Sequence, residues 1–148
     1  MKLLKLVMFL LVGGVLLGGL SCGKKGPPFL PQKTFNLSVV DLRGKCERDA
    51  VFLEGKIMDL SRAEKKAAMV KGARVYYVTY PLSDKPCEGC PLLFRAYREF
   101  GEEVASGENF LCRFPIHSRP KVYFFKVQLI GPEGTLGPRS GTLKIVVR

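Results

Sequence analysis

Short runs of β-branched and aromatic residues, alternating with polar ones and separated by glycine and proline, constrain this chain most. Val39, Leu42, Val51, Leu53 and Ile57 begin the series, and Val75-Tyr76-Tyr77-Val78 with Tyr80 continue it. Phe110 to Ile116, Val122 to Ile130 and Leu143 to Val147 complete it. Strands read this way because side chains alternate between faces with a period of two. Phe110, Cys112, Phe114 and Ile116 then share one face and Arg113 takes the other. Gly131-Pro132-Glu133-Gly134 predicts a type I turn, with proline second and glycine fourth. About seven short strands in roughly 110 residues predict an all-β sandwich, a length sufficient for one hydrophobic core.

The last third carries a family pattern. Tyr123, Phe125 and Val127 occupy Y-x-V-x-V positions, and Gly137-Pro138-Arg139-Ser140 leads into the final run. Tyr76-x-Val78-x-Tyr80 fits a third strand, and Val51-x-Leu53-x-Gly55 stands where a second strand would read V-x-L-x-W. In these motifs the chain resembles a fibronectin type III domain, which implies an immunoglobulin-like β-sandwich over residues 35–148. Immunoglobulin-like sandwiches outside that family are the alternative. The chain has no tryptophan, so its ten phenylalanines are expected to fill the core instead. Two insertions interrupt the pattern. Leu60 to Gly72 predicts a short helix, opened by a Ser61–Glu64 capping box and carrying Ala63, Ala67, Ala68 and Met69. Pro81 to Gly107 is expected to hold the fourth strand between Phe94 and Phe100.

The first 34 residues are of another kind. Lys2 and Lys5 precede an uncharged run from Leu6 to Leu20, broken by Gly13, Gly14, Gly18 and Gly19. A spanning helix needs about 20 apolar residues, so residues 1–21 read as an export signal, with an uncleaved anchor as the competing reading. Cys22 follows Gly19-Leu20-Ser21. This resembles the lipobox of bacterial lipoproteins, whose cysteine becomes the first residue and carries diacylglycerol and an N-acyl chain such as palmitate. Several acyl chains anchor stably, because each buried CH₂ contributes about 0.8 kcal/mol. In that family an aspartate in the second position retains the protein at the inner membrane; Gly23 stands there, which implies the outer membrane, facing the periplasm. Residues 22–34 form a tether with three prolines, extended by their fixed φ and reaching at most about 40 Å. Its start, Cys22-Gly23-Lys24-Lys25-Gly26-Pro27, resembles the CGxKGP opening of small bacterial lipoproteins, one of which assists maturation of the lipopolysaccharide translocon.

Net charge is +11, with the basic residues scattered and no nucleic-acid motif among them. For an exported chain this points to anionic envelope surfaces or a solvated basic exterior, and not to nucleic acid. Four further cysteines would meet an oxidising space. Cys87-Glu88-Gly89-Cys90 lies between Pro86 and Pro91 and predicts a local disulfide. A redox pair and a four-cysteine zinc site are its rivals, although a second C-x-x-C is missing. Cys46 and Cys112 bridge only if Cys46 has left its strand for the turn at Glu47-Arg48-Asp49. Otherwise the intervening strand holds them roughly 10 Å apart, beyond the about 7 Å between Cα atoms that a disulfide tolerates.

His117 reads as a loop histidine, and Glu99, Glu102, Glu103 and Glu108 as solvated acids. No nucleophile or phosphate-loop motif accompanies them, so the expectation is no enzyme, no metal and no cofactor beyond the lipid. The expected function is a lipid-anchored binding or scaffolding module with an envelope protein partner. Its candidate binding loop is Pro91-Leu92-Leu93-Phe94, where three apolar residues follow a rigid turn. The alternatives are a thiol redox or metal-binding protein using Cys87 and Cys90, and an outer-membrane assembly factor acting through the tether.

Overall fold

The computed structural model describes residues 35–61 and 69–148. The signal, Cys22, the tether and the core of the expected Leu60–Gly72 helix lie outside them. Among the described residues nine antiparallel strands follow in chain order: β1 (Leu37–Glu47), β2 (Ala50–Asp59), β3 (Gly72–Pro81), β4 (Ala96–Phe100), β5 (Ala105–Ser106), β6 (Asn109–Pro115), β7 (Lys121–Ile130), β8 (Leu136–Arg139) and β9 (Leu143–Val147). They form two sheets. One runs β1-β2-β6-β5; the other runs β4-β3-β7, with β8 and β9 both paired to β7. This is an all-β, immunoglobulin-like sandwich of the fibronectin type III kind. Its fourth strand falls in the second insertion, as the sequence implied.

Alternation builds the core. Phe110, Cys112 and Phe114 point inward from β6 while Leu111 and Arg113 point out. From β7, Tyr123, Phe125, Val127 and Leu129 meet them, and Phe110, Phe125, Val127 and Leu129 are fully buried. Each such side chain stabilises the fold by about 1.5–3 kcal/mol. Phe114 is the aromatic hub, with Tyr77, Phe125 and Phe100 at centroid distances of 5.0, 5.1 and 6.4 Å. Phe35, Phe110, Phe114 and Phe125 fill the core, whereas Phe52 is exposed, and Gly55 shows how the space is closed. A Cβ there would come within 2.5 Å of Val39 Cγ1 and 2.9 Å of the Val40 carbonyl oxygen. β1 therefore closes the place where the fibronectin type III pattern reads tryptophan, and Phe110, directly opposite Gly55 on β6, fills the core at that level.

Local chemistry fixes the ends. The Tyr123 hydroxyl donates to the Ser118 carbonyl (3.0 Å), a tyrosine corner at the start of β7. Ser140 bridges the gap between β8 and β9: its N–H donates to Val127 O (2.7 Å), and its Oγ accepts from Val127 N (2.9 Å). The turn after β7 departs from expectation. Glu133 and Gly134 both have positive φ (57° and 74°), and Thr135 N donates to Pro132 O at 3.1 Å. The turn is therefore of type I′, centred on Glu133-Gly134, one residue later than the proline suggested. It closes a β7–β8 hairpin, and the mirror-image turn matches the twist of the two strands.

Candidate interaction surface

The outer face of the second sheet is assembled from residues far apart in sequence. The register sets Arg74 beside Gln128, Tyr76 beside Lys126 and Val78 beside Phe124 on β3 and β7. β4 adds Tyr97 next to Tyr76 and Glu99 next to Arg74, and β9 adds Lys144 next to Phe124. All project away from the core. The Arg139 guanidinium lies 4.2 Å from the Tyr76 ring centre, Arg74 lies 5.1 Å from Tyr97, and Lys126 Nζ lies 5.3 Å from Phe94. Tyr76 and Tyr97 are themselves 5.4 Å apart.

The rings are held from behind. The Tyr76 hydroxyl donates to Gln128 Oε1 (3.0 Å), and Gln128 Nε2 donates to the Gly137 carbonyl (2.6 Å). Tyr76 is therefore a fixed platform, 7% exposed, beneath Arg139. Arg74 Nε donates to Glu99 Oε1 (2.6 Å), a bond that raises the Arg74 pKa further above its ordinary value. Among the described residues no ion pair involves Arg139, Lys126 or Lys144.

One end of this face carries the disulfide loop. Cys87 and Cys90 are bonded, with Cα atoms 5.4 Å apart. Cys90 N donates to Cys87 O (3.2 Å) across a turn whose Gly89 has φ +81°. With Pro86, Leu92, Phe124 and Lys144 the loop lines a cleft of about 420 Å³. The candidate binding residues divide by alternation. Leu92 and Phe94 are half-buried toward the sheet, whereas Pro91 is exposed and Leu93 is 64% exposed. The structure thus presents one apolar tip and not a patch of three.

Cys46 and Cys112 are free thiols. Both stay in regular strands, Cys46 opposite Val51 and Cys112 opposite Leu53, with β2 between them. A bridge between these two disulfide candidates is thereby ruled out by the sheet spacing. Burial, helped by Glu103, pushes the Cys112 thiol up to about 12. Arg119 Nη2 lies 4.0 Å from the half-buried Cys46 sulfur. His117 is exposed in the loop before β7. The acids are dispersed: Glu99 pairs with Arg74, Glu102 with Lys71, and Glu103 accepts from Gly101 N. Among the described residues no group of three or more His, Cys, Asp or Glu could hold a metal ion.

The ring-and-cation arrangement was not anticipated from the sequence. Its signal lay in the parity of Arg74 and Tyr76 against Lys126 and Gln128, which becomes readable once the third and sixth strands are paired in register.

No family model matches the chain, and no curated protein matches it. Solved structures do. A protein described as "Myokine structure" is 12% identical, with 77% of this chain covering 100% of that one at a TM-score of 0.50. The FN1–FN3 domains of chicken CNTN1 are 15% identical over 77% of this chain and 32% of theirs, with a TM-score of 0.42. At such identities the likeness is one of fold.

Proposed function

We propose that this chain is a non-enzymatic binding module of the bacterial cell envelope, anchored by lipid on Cys22 and held on a short tether, facing the periplasm at the outer membrane. The observation that carries the binding role is the outer face of the second sheet. Cations fixed on rings, beside a disulfide-closed loop, make a preorganised surface that need not be ordered at the moment of contact. The anchor is supported by the uncharged Leu6–Leu20 run two residues before Cys22 and by the proline-rich sequence beyond it. Partners in this reading are the membrane, through the lipid, and an envelope protein; nucleic acid has no part in it.

Fractionation tests the anchor. The wild-type chain is expected in the outer-membrane fraction, in a processed form beginning at Cys22. Cys22→Ser should block processing and leave the outer-membrane fraction. An unchanged distribution and mass for Cys22→Ser would refute lipid anchoring.

A further inference from the structure

We propose that the outer face of the β4-β3-β7-β9 sheet docks onto the phosphate-rich surface of an anionic phospholipid bilayer, so that the domain lies down on the membrane that holds it. The inference rests on the lipid-anchor reading for proximity and on the face itself for chemistry.

Three observations converge. The first is charge. Arg139, Lys126 and Lys144 project from this face without an ion pair among the described residues; Glu99, in register with them, is held by Arg74, and Glu88 shares its cleft with both Lys85 and Lys144, so positive charge is in excess. Guanidinium groups fixed over rings present N–H donors outward at little further cost in side-chain freedom, and they match phosphate oxygens in geometry. The second is the apolar tip. Leu93 projects beside these cations, 64% exposed, at the end of the disulfide loop. An apolar residue flanked by positive charge suits the boundary between head groups and acyl chains. The third is where the chain enters the sandwich. The Phe35 ring packs where a Cβ on Gly131 or Gly137 would stand, two residues before Arg139. The chain therefore enters beside β8, at one edge of this sheet, and a tether reaching about 40 Å from a lipid at Cys22 keeps that edge near the bilayer. An acidic protein would satisfy the charges, but it would not explain the apolar tip.

Hydrogen–deuterium exchange on the full acylated chain in nanodiscs tests this. Discs of phosphatidylcholine alone are compared with discs containing phosphatidylglycerol. Docking predicts slower exchange over residues 84–95 and 136–144 in the anionic discs only, reversed by high salt. Residues 43–56 of the opposite sheet should exchange alike in both. Lys126→Gln/Arg139→Gln/Lys144→Gln should abolish the difference, because three such charges account for on the order of a 100-fold change in surface affinity. Leu93→Ser, at a side chain 64% exposed, is a second variant and should weaken docking without altering the thermal midpoint. Equal exchange in the two discs, slowing on residues 43–56 instead, a triple variant that still docks, or protection produced only by added envelope protein would each overturn the proposal. Failure of the anchor is visible separately, as a mass without acyl chains. The same chain is then mixed with anionic or zwitterionic vesicles, and co-sedimentation with the anionic ones alone still supports docking while its absence refutes it.

Discussion

The two outer faces of the sandwich use the same residue types in opposite ways. On the β1-β2-β6 face, cations stand among acids: Lys45 pairs with Glu47 at 2.7 Å, Arg113 pairs with Asp49 at 3.3 Å, and Arg43 and Lys56 share one pocket with Asp41 and Glu54. Phe52, Leu111 and Met58 stand exposed among them. On the β4-β3-β7-β9 face, aromatic rings lie beneath Lys126 and Arg139, and Arg139, Lys126 and Lys144 form no ion pair among the described residues. The first arrangement cancels its own field. The second concentrates positive potential on a rigid surface, which attracts anions over about a Debye length. Composition alone, with its scattered basic residues, does not distinguish the two; strand register does.

The largest expected effect falls on the layer that both faces share. Phe110→Ala, opposite Gly55, should destabilise the domain by about 3–5 kcal/mol in urea denaturation. A loss below 1 kcal/mol would mean that Phe110 does not replace the missing tryptophan. Gly55→Ala should cost about 1–3 kcal/mol, because the new Cβ meets Val39 and the backbone of β1.

Alkaline stability comes next. The Cys112 thiol titrates near 9.0 when unfolded and at about 12 when folded. As pH rises past 9 the unfolded chain loses this proton first, so stability should fall toward pH 12 by up to about 1.4 kcal/mol per unit. Cys112→Val should flatten that slope relative to wild type. An unchanged slope would show that the thiol is not shielded.

The smallest effects separate the faces directly. Tyr76→Leu removes the platform under Arg139 and the bond to Gln128, and should cost about 1–2 kcal/mol. Asp49→Asn, on the matched face, should cost about 0.5 kcal/mol or less, since its pair with Arg113 is exposed. If the two substitutions proved equal, the contrast between a built face and a solvated one would collapse.

Much of this architecture is legible in the sequence. The period-two runs place β6 and β7 and assign the inward residues of β6, because alternation survives wherever one face is buried. The fibronectin-like motifs give the strand order, and that order separates Cys46 from Cys112. The C-x-x-C spacing between prolines gives the disulfide. What could not be read depends on register or on backbone conformation. Proline at position 132 suggested a type I turn, but the β7–β8 hairpin needs the mirror turn at Glu133-Gly134. Leu92-Leu93-Phe94 looked like a single apolar patch, but in the loop before β4 Leu92 and Phe94 are half-buried and Leu93 alone of the three is exposed. The Tyr76–Arg139 platform joins residues 63 positions apart and has no local signature.

Intact mass of the protein purified from membranes, with alkylation of the denatured chain before and after reduction, tests the central claim most directly. The account predicts an acylated chain beginning at Cys22. Two thiols, Cys46 and Cys112, should alkylate before reduction, and Cys87 and Cys90 should join them only afterward. A mass that still includes residues 1–21, or four alkylated thiols before reduction, would contradict it.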